Sequence, residues 1–489
     1  MLQGEPLNAA ARSFDGIRVS HIDSTVLATI INKKVESMDK IKAFNFDLKK
    51  DDSAVNKALA VSFKQALEGN HRRHFILECK KSSPSLGDFC PDFNLDKIVN
   101  CYNERADAIS VLTEEYFFKG SYAYLSKVRK LSNLPILCKD FIICKEQIEI
   151  AKKIGANAVL LMLSILTHDK YLELYNYAKT LDLDVLTEVS DIDEAQFAIA
   201  HSIDIIGINN RDLKTLKIDL NNAKRLAALF TPDTIVISES GIKNHRDIVN
   251  MLPLKNFLIG SALCVEPEIE KKANELLYGF NKLCGLKNRK GVQIAIDNKF
   301  SLAGLIFVSK SPRCVNFEEA KALALDPTLS SRIDFCAVFL NEALNNVINI
   351  VLELKLKYVQ LHGQENIEYI KALKKAVPGL KIIKAVSIND KLEDCDLIHI
   401  KEYYSVADLI LFDSKNPGSG KEFDKDLIPQ FVDKSKTLLS GGIGPDNICK
   451  NVSLNFLGVD CNSCLEKAPG DKDPILVNDL FKRINCIEE

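Results

Sequence analysis

Tryptophan is absent from all 489 residues, so the chain carries little fluorescence of its own. Long apolar runs are missing too: the longest, "AVLLMLSIL" at Ala158–Leu166, falls well short of the ~20 residues of a membrane-spanning helix. The opening "MLQGEPLNAAARSFDG" lacks the basic-then-apolar order of a secretory signal, and the expectation is a soluble, cytoplasmic chain with no membrane partner. Nor is either charge in excess, since 64 Lys and Arg face 66 Asp and Glu for a net charge of −2. That balance excludes whole-surface attraction to nucleic acid, so any anion must be held by a local site. Cysteine is present, 14 times, but without framework spacing, as expected of buried reduced thiols. The one Cys-x-x-Cys, Cys461 with Cys464, has no second pair and no neighbouring histidines, so no metal is expected.

What is there is an ordinary globular composition, with 46% hydrophobic and 27% charged residues, in a chain long enough for two large domains. Short apolar runs bounded by turn residues alternate with amphipathic stretches such as "CKEQIEIAKKIG" and "THDKYLELYNYAKTLD". The first half offers "HFILEC", "DAISVLT", "PILCKD", "NAVLLML", "DVLTEV", "DIIGIN", "TIVISE" and "NFLIG". The second offers "NKLCG", "LAGLIFV", "DFCAVF", "KYVQLH", "LKIIKA", "DLILFD", "KTLLSG" and "NFLGVD". Such alternation means a parallel sheet, and eight repeats mean a closed barrel. The predicted fold is α/β, two consecutive (β/α)₈ TIM barrels, with an extra helical segment between Thr25 and Glu68 on the first. The expected divisions are 1–22, a poorly ordered extension, then barrels over 23–279 and 280–489, joined near Gly279 without a flexible linker.

In such barrels chemistry sits at the carboxyl ends of the strands, where the loops are free of packing duty. "FILECKK" places Glu78, Lys80 and Lys81 there, "ILCKDF" Lys139, "VLTEV" Glu188, "GINNRDL" Asn209 and Arg211, and "ISESGI" Glu239 and Ser240. One such charge is ordinarily a solvated loop residue; five strand ends bearing polar groups point to one cavity. "SESGI" with "LIGSAL", and "LSGGIG" with "GVDCNS", put small residues where the last two loops of each barrel hold a phosphate through backbone N–H groups. Phosphorylated small molecules are thus the expected substrates of both halves.

From Asp23 to about Leu277, "ILECKKSSPSLG", "ISVLTEEYFFKGS", "PILCKDFI", "LLMLSIL", "LTEVSD", "GINNRDL", "ISESGI" and "FLIGSAL" resemble indole-3-glycerol-phosphate synthase. From Asn281 onward, "KLCGL", "GLIFVSKSPRCV", "VQLHG", "LFDSKNPGSGKEFD", "LLSGGIGPDN" and "GVDCNSCLEKAPGDKD" resemble phosphoribosylanthranilate isomerase. The order is that of the fused bifunctional enzymes of bacterial tryptophan biosynthesis.

The resemblance implies roles. In the synthase half Lys139 is the acid, made available near neutral pH by other cations and partial desolvation. Glu188 is the base, Lys80 assists in acid work, and Glu78 orients the lysines. Asn209, Glu239 and Ser240 hold ring and hydroxyls, with Arg211 in support. Ser83, Gly241, Gly260 and Ser261 receive the phosphate, and Phe118 and Phe141 flank the aromatic ring in place of a tryptophan. In the isomerase half Cys284 is the general base, its thiol pKa lowered by neighbouring cations or dipoles, and Asp413 is an acid kept protonated by desolvation. Arg313 pairs with the anthranilate carboxylate, Gln360 and His362 line the cavity, and Gly442 and Ser463 meet the phosphate. The resemblance implies neither cofactor nor metal, and the chain is expected to act as a monomer.

Two rivals differ in kind. A histidine-pathway sugar-phosphate isomerase or cyclase shares the barrel but wants aspartates at the ends of strands one and five, where these halves carry Glu78, Glu188 and Cys284. A non-catalytic phosphosugar-binding scaffold has no use for Lys139, Glu188, Cys284 and Asp413 together.

Overall fold

The computed structural model describes residues 16–18, 25–47, 61–69, 71–85, 87–90, 93–212, 215–264, 266, 268–388, 393–414 and 420–486. Among them the chain divides into two compact units, 1–242 with 253–267, and 243–252 with 268–489. Residues 268–279, which precede the expected joint at Gly279, thus group with the second unit.

The first unit holds β1 (His74–Cys79), β2 (Ala108–Leu112), β3 (Ile136–Lys139), β4 (Ala158–Met162), β5 (Asp184–Val189), β6 (Ile205–Asn209), β7 (Ile235–Glu239) and β8 (Asn256–Ile259). They close in chain order into a parallel barrel. The seam pairs His74 with Asn256 on one side of β1 and Ile76 with Ala108 on the other. Strands buried on both faces read as unbroken apolar runs, and β1, β2, β4, β6, β7 and β8 are buried at every residue. At or next to the carboxyl ends stand the charged Glu78, Lys139, Glu188 and Glu239, while His74, Asp184 and Asn256 open their strands at the opposite end.

Helix starts fix the loops that leave the ends of β2, β4 and β5. Ser121, Thr167 and Asp191 each accept a backbone N–H from the first turn of the helix that follows. Such a cap contributes about 1 kcal/mol and sets where the loop stops. Ahead of the barrel lie α1 (Val26–Glu36), α2 (Met38–Asp47) and α3 (Phe63–Leu67). Thr25 caps α1, which buries Leu27, Ile30, Ile31 and Lys34. The Lys34 ammonium meets Asp140 at 2.7 Å, both side chains buried, and so ties α1 to the loop after β3. Within the N-terminal extension, Ile17 bridges Leu166 and Arg18 N donates to Ile165 O at 2.9 Å. The rest of 1–22, and with it the expectation of poor order, lies outside the described residues.

The second unit repeats the plan with β9 (Lys282–Leu283), β10 (Leu302–Ile306), β11 (Asp334–Phe339), β12 (Tyr358–Leu361), β13 (Lys381–Ile388), β14 (Leu409–Ser414), β15 (Thr437–Leu439) and β16 (Gly458–Cys461), closed in chain order with Lys282 beside Asp460. Phe280, Leu302, Cys336, Ile383, Leu411 and Leu438 form one core cluster. All sixteen barrel strands fall on the runs read from the sequence. No helix among the described residues is long and apolar enough to cross a membrane.

Candidate active sites

In the first barrel the charged ends of β1, β3 and β7 converge on one ammonium. Lys139 Nζ lies 3.0 Å from Glu78 Oε2 and 3.0 Å from Glu239 Oε2, while Lys80 Nζ lies 3.3 Å from Glu78 Oε1. Asn209 Nδ2 donates to Glu188 Oε1 at 3.2 Å. Two glycines make room for these carboxylates: a Cβ at Gly207 would lie 2.0 Å from Glu239 Oε1, and one at Gly260 would lie 2.5 Å from Glu78 Oε1.

The electrostatics separate Glu78, Lys139 and Glu188. Burial pushes the Glu78 carboxyl up, but Lys139 and Lys80 outweigh it and hold the group below the usual carboxylate range. Desolvation of the half-buried Lys139 works against its charge, yet Glu239, Glu78 and Glu188 drive its pKa up. The expectation of a lysine made acidic by other cations is therefore corrected: its nearest neighbours are anions, and they stabilise the ammonium. Glu188 goes the other way, pushed up to about 8 by burial and by Glu239, against the opposing pull of Lys139 and Asn209. The site thus holds one firm cation, one firm anion and one carboxyl poised near neutrality.

A cavity of about 120 Å³ opens over this cluster. Glu78, Lys80, Ser83, Phe118, Lys139, Phe141, Glu188, Asn209, Arg211 and Ser240 all line it. The two phenyl rings lie 6.1 Å apart, and Lys80 Nζ stands 5.6 Å from the Phe118 centroid, a cation over a ring face. Gly241, Gly260 and Ser261 are not on the cavity wall. Ser240 adopts φ 67° and Gly241 φ 91°, a left-handed corner that costs a serine about 1–2 kcal/mol. Asn210 Nδ2 holds that corner, donating to Ser238 Oγ at 2.9 Å and Ser240 O at 3.1 Å.

Several wall residues escaped the sequence reading. Val26, Leu27 and Ile30 of α1 close one side, and Pro84, Leu160, Met162 and Leu216 add apolar surface. Glu114, in the strand-end motif "VLTEE", accepts the backbone N–H groups of Tyr116, Phe117 and Phe118 at 2.7–2.9 Å and so sets the Phe118 ring. That motif was a readable signal; the helix residues, distant in the chain, carried none.

The second barrel opens on a cavity of about 1290 Å³ lined by Cys284, Arg313, Gln360, His362, Asp413, Gly442 and Ser463, which brings all seven expected residues together. Burial pushes the Asp413 carboxyl up to about 6, although the Ser414 N–H donates to it at 2.7 Å. His362 is pushed down to about 4 by burial, Lys282 and Lys384, so it is neutral. Gln360 Nε2 donates to its Nδ1 at 2.9 Å, which leaves the proton on Nε2, 3.6 Å from Asp413 Oδ2. Burial also drives the Cys284 thiol up, and the opposing Lys282 and Lys472 do not cancel it. A depressed thiol pKa was expected; desolvation in the packed strand end wins instead.

Arg313 is held by an internal carboxylate, donating through Nε and Nη2 to Glu466 at 2.8–3.1 Å. Glu466 in turn meets the buried Lys472 Nζ at 2.8 Å. Gly442 takes φ 66° where a Cβ would lie 2.8 Å from backbone atoms of Gly420 and Glu422, so the loop demands glycine. Ser463 begins a 3₁₀ turn directly after β16, with Gly420 facing its hydroxyl. Missed here were Lys282, Lys384, Asp460, Glu466 and Lys472, whose charges sit inside strands or a hairpin and read as core interruptions.

Comparison with known proteins agrees with both halves. A family model described as indole-3-glycerol phosphate synthase matches residues 27–276, and one described as N-(5'-phosphoribosyl)anthranilate isomerase matches residues 281–483. The tryptophan biosynthesis protein TrpCF of Helicobacter pylori is 40% identical over 471 residues, covering 94% of this chain and 98% of its own. Those of Buchnera aphidicola subsp. Schizaphis graminum and Vibrio parahaemolyticus are 38% and 39% identical, over 95% and 94% of this chain and 100% and 94% of theirs. With both family models matched in order over two closed barrels, the chain belongs to the TrpCF family of bifunctional tryptophan-biosynthesis enzymes, an indole-3-glycerol phosphate synthase followed by a phosphoribosylanthranilate isomerase.

Proposed function

We propose that each reaction is run by the strand-end cluster of its own barrel. In the isomerase unit Cys284 removes the C2′ proton of phosphoribosylanthranilate and Asp413 protonates the ring oxygen, giving the carboxyphenylamino-deoxyribulose phosphate. A buried carboxyl with a pKa near 6 supports the acid role, because part of it keeps its proton near neutrality. Arg313, steered by Glu466, faces the substrate carboxylate with its remaining N–H groups, and the Gly442 and Ser463 loops take the phosphate.

In the synthase unit the Lys139 ammonium stabilises the oxyanion of the ketone and delivers a proton as the ring closes. Glu188 accepts a proton during loss of water, and carbon dioxide leaves from the former anthranilate carboxyl. Glu78 and Glu239 hold Lys139 charged and aimed. Ser83, Gly241, Gly260 and Ser261 remain the proposed phosphate contacts, with Ser83 the member already on the cavity wall.

The observation that carries this reading is the separation in pKa between Lys139, driven up, and Glu188, poised at about 8, within one cavity. Each cluster draws its named residues from one chain, which supports a monomeric enzyme, and charged phosphate-ester substrates, which do not cross membranes unaided, support a cytoplasmic one. Glu188→Gln protein given phosphoribosylanthranilate should accumulate the deoxyribulose phosphate without indoleglycerol phosphate. Continued ring closure at the wild-type rate would overturn the assignment.

A further inference from the structure

We propose that Lys282, paired with Asp460 beneath the isomerase cavity, is the positioning cation that makes Cys284 usable as a base. The proposal rests on the reading of Cys284 as that base.

Lys282 and Cys284 stand two residues apart on β9 and its end, and so share the barrel's inner face. Lys282 is fully buried and does not reach the cavity wall, whereas Cys284 and Asp460 do. Its Nζ meets Asp460 Oδ2 at 2.8 Å. The two β9 side chains converge over Gly304 of β10, where an added Cβ would lie 2.8 Å from Cys284 Sγ and 3.1 Å from Lys282 Cε. That missing side chain lets ammonium and thiol share one compartment.

An ion pair this deep is poor value as a fold stabiliser, since desolvation offsets most of the attraction. Its position offers a better account. The charged and titratable groups that face the thiol are Lys282, Asp460 on β16, Cys336 on β11 and Lys472 from the hairpin after β16. Across the cavity the Lys282 charge also reaches Asp413 and His362. Of these, Lys282 opposes the burial of Cys284 most strongly, and Asp460 acts on Asp413 in the direction that keeps it protonated. One ion pair therefore biases base and acid in opposite senses, each toward the form catalysis needs.

The productive state, thiolate with protonated Asp413, is a minority form when the thiol pKa lies above the carboxyl pKa. Its share falls tenfold for each unit by which the thiol rises. Removing the cation should thus lower the plateau of the isomerase kcat/KM against pH by roughly tenfold or more and move its alkaline limb upward.

The test uses the full chain and reads both the isomerase pH profile and the pH dependence of iodoacetamide alkylation at Cys284, followed on the Cys284 peptide by mass spectrometry. Lys282→Met combined with Asp460→Leu removes the pair without leaving a lone buried charge; Lys282→Gln, which still donates to Asp460, is the second variant should the first not fold. Expected is an alkylation midpoint raised by about a pH unit or more together with the lowered, shifted profile, while Lys282→Arg keeps the midpoint near the parent value. A folded variant whose alkylation midpoint is unchanged overturns the proposal, whatever its activity. Retention of isomerase activity by Cys284→Ala would instead overturn the reading of the base itself.

Discussion

Glu239 Oε2 lies 3.0 Å from Lys139 Nζ, and its other carboxylate oxygen occupies the space above Gly207 that a Cβ would fill. The aim of the synthase ammonium therefore depends on a glycine one strand away. Gly207→Ala should push the Glu239 carboxylate aside, because a side-chain end yields more cheaply than a barrel backbone. Synthase kcat/KM is expected to fall at least tenfold with the isomerase rate unchanged, since misplacing a catalytic group by an ångström has costs of that order. Assay of both half-reactions on the same preparation checks it, and an unchanged synthase rate would show that Glu239 is not positioned this way.

The synthase should gain activity as pH rises. A base with a pKa of about 8 is mostly protonated at neutrality, so kcat/KM should climb through that region before any alkaline loss. After burial, the Glu239 charge contributes most to the elevation, and Glu239→Gln should shift the limb to lower pH even as it lowers the maximum. A limb that stays in place would assign it to another group.

Asp413 should be costly to the fold. Its folded pKa, about 6, lies above its unfolded value, so the folded state binds this proton more tightly. The stability it contributes is therefore present below pH ~4 and lost as pH rises through 6, a change on the order of 3 kcal/mol. Asp413→Asn should leave the second barrel more stable than the parent above pH 6 and equal to it near pH 4, while abolishing isomerisation. Hydrogen exchange of core amides in that barrel is the suitable readout, because a chain of two units has no single unfolding free energy. Equal protection at pH 7 would contradict the expectation.

Much of this was legible in the sequence for a definite reason. Parallel strands are buried on both faces, so each barrel strand announces itself as an apolar run, and a polar residue at its end stands out. That is why Glu78, Lys139 and Glu188 could be picked out by position, whereas Asp413 came from the resemblance to the isomerase. What surrounds each of them could not. The carboxylates that drive Lys139 up come from β1 and β7, about 60 residues before it and 100 after, and no local pattern shows that anions rather than cations would be its neighbours. Lys282 was passed over because a lysine inside "NKLCG" looks like a flaw in a strand until the barrel closes and sets Asp460 beside it. Gly260 was read as a phosphate contact and Gly207 only as part of an apolar run, because their use as clearance for Glu78 and Glu239 exists only across strands.

The central claim is that the chain carries two independent active sites, one per barrel. The most direct measurement is conversion of phosphoribosylanthranilate to indoleglycerol phosphate by Lys139→Ala protein, by Cys284→Ala protein, and by the two mixed in equal amounts, followed by product fluorescence against a background free of tryptophan. Each variant alone should lose the overall conversion by two or more orders of magnitude, as removal of an acid or base commonly does, and the mixture should recover it. Folded variants that stay inactive when mixed, or one substitution that silences both half-reactions, would contradict the account.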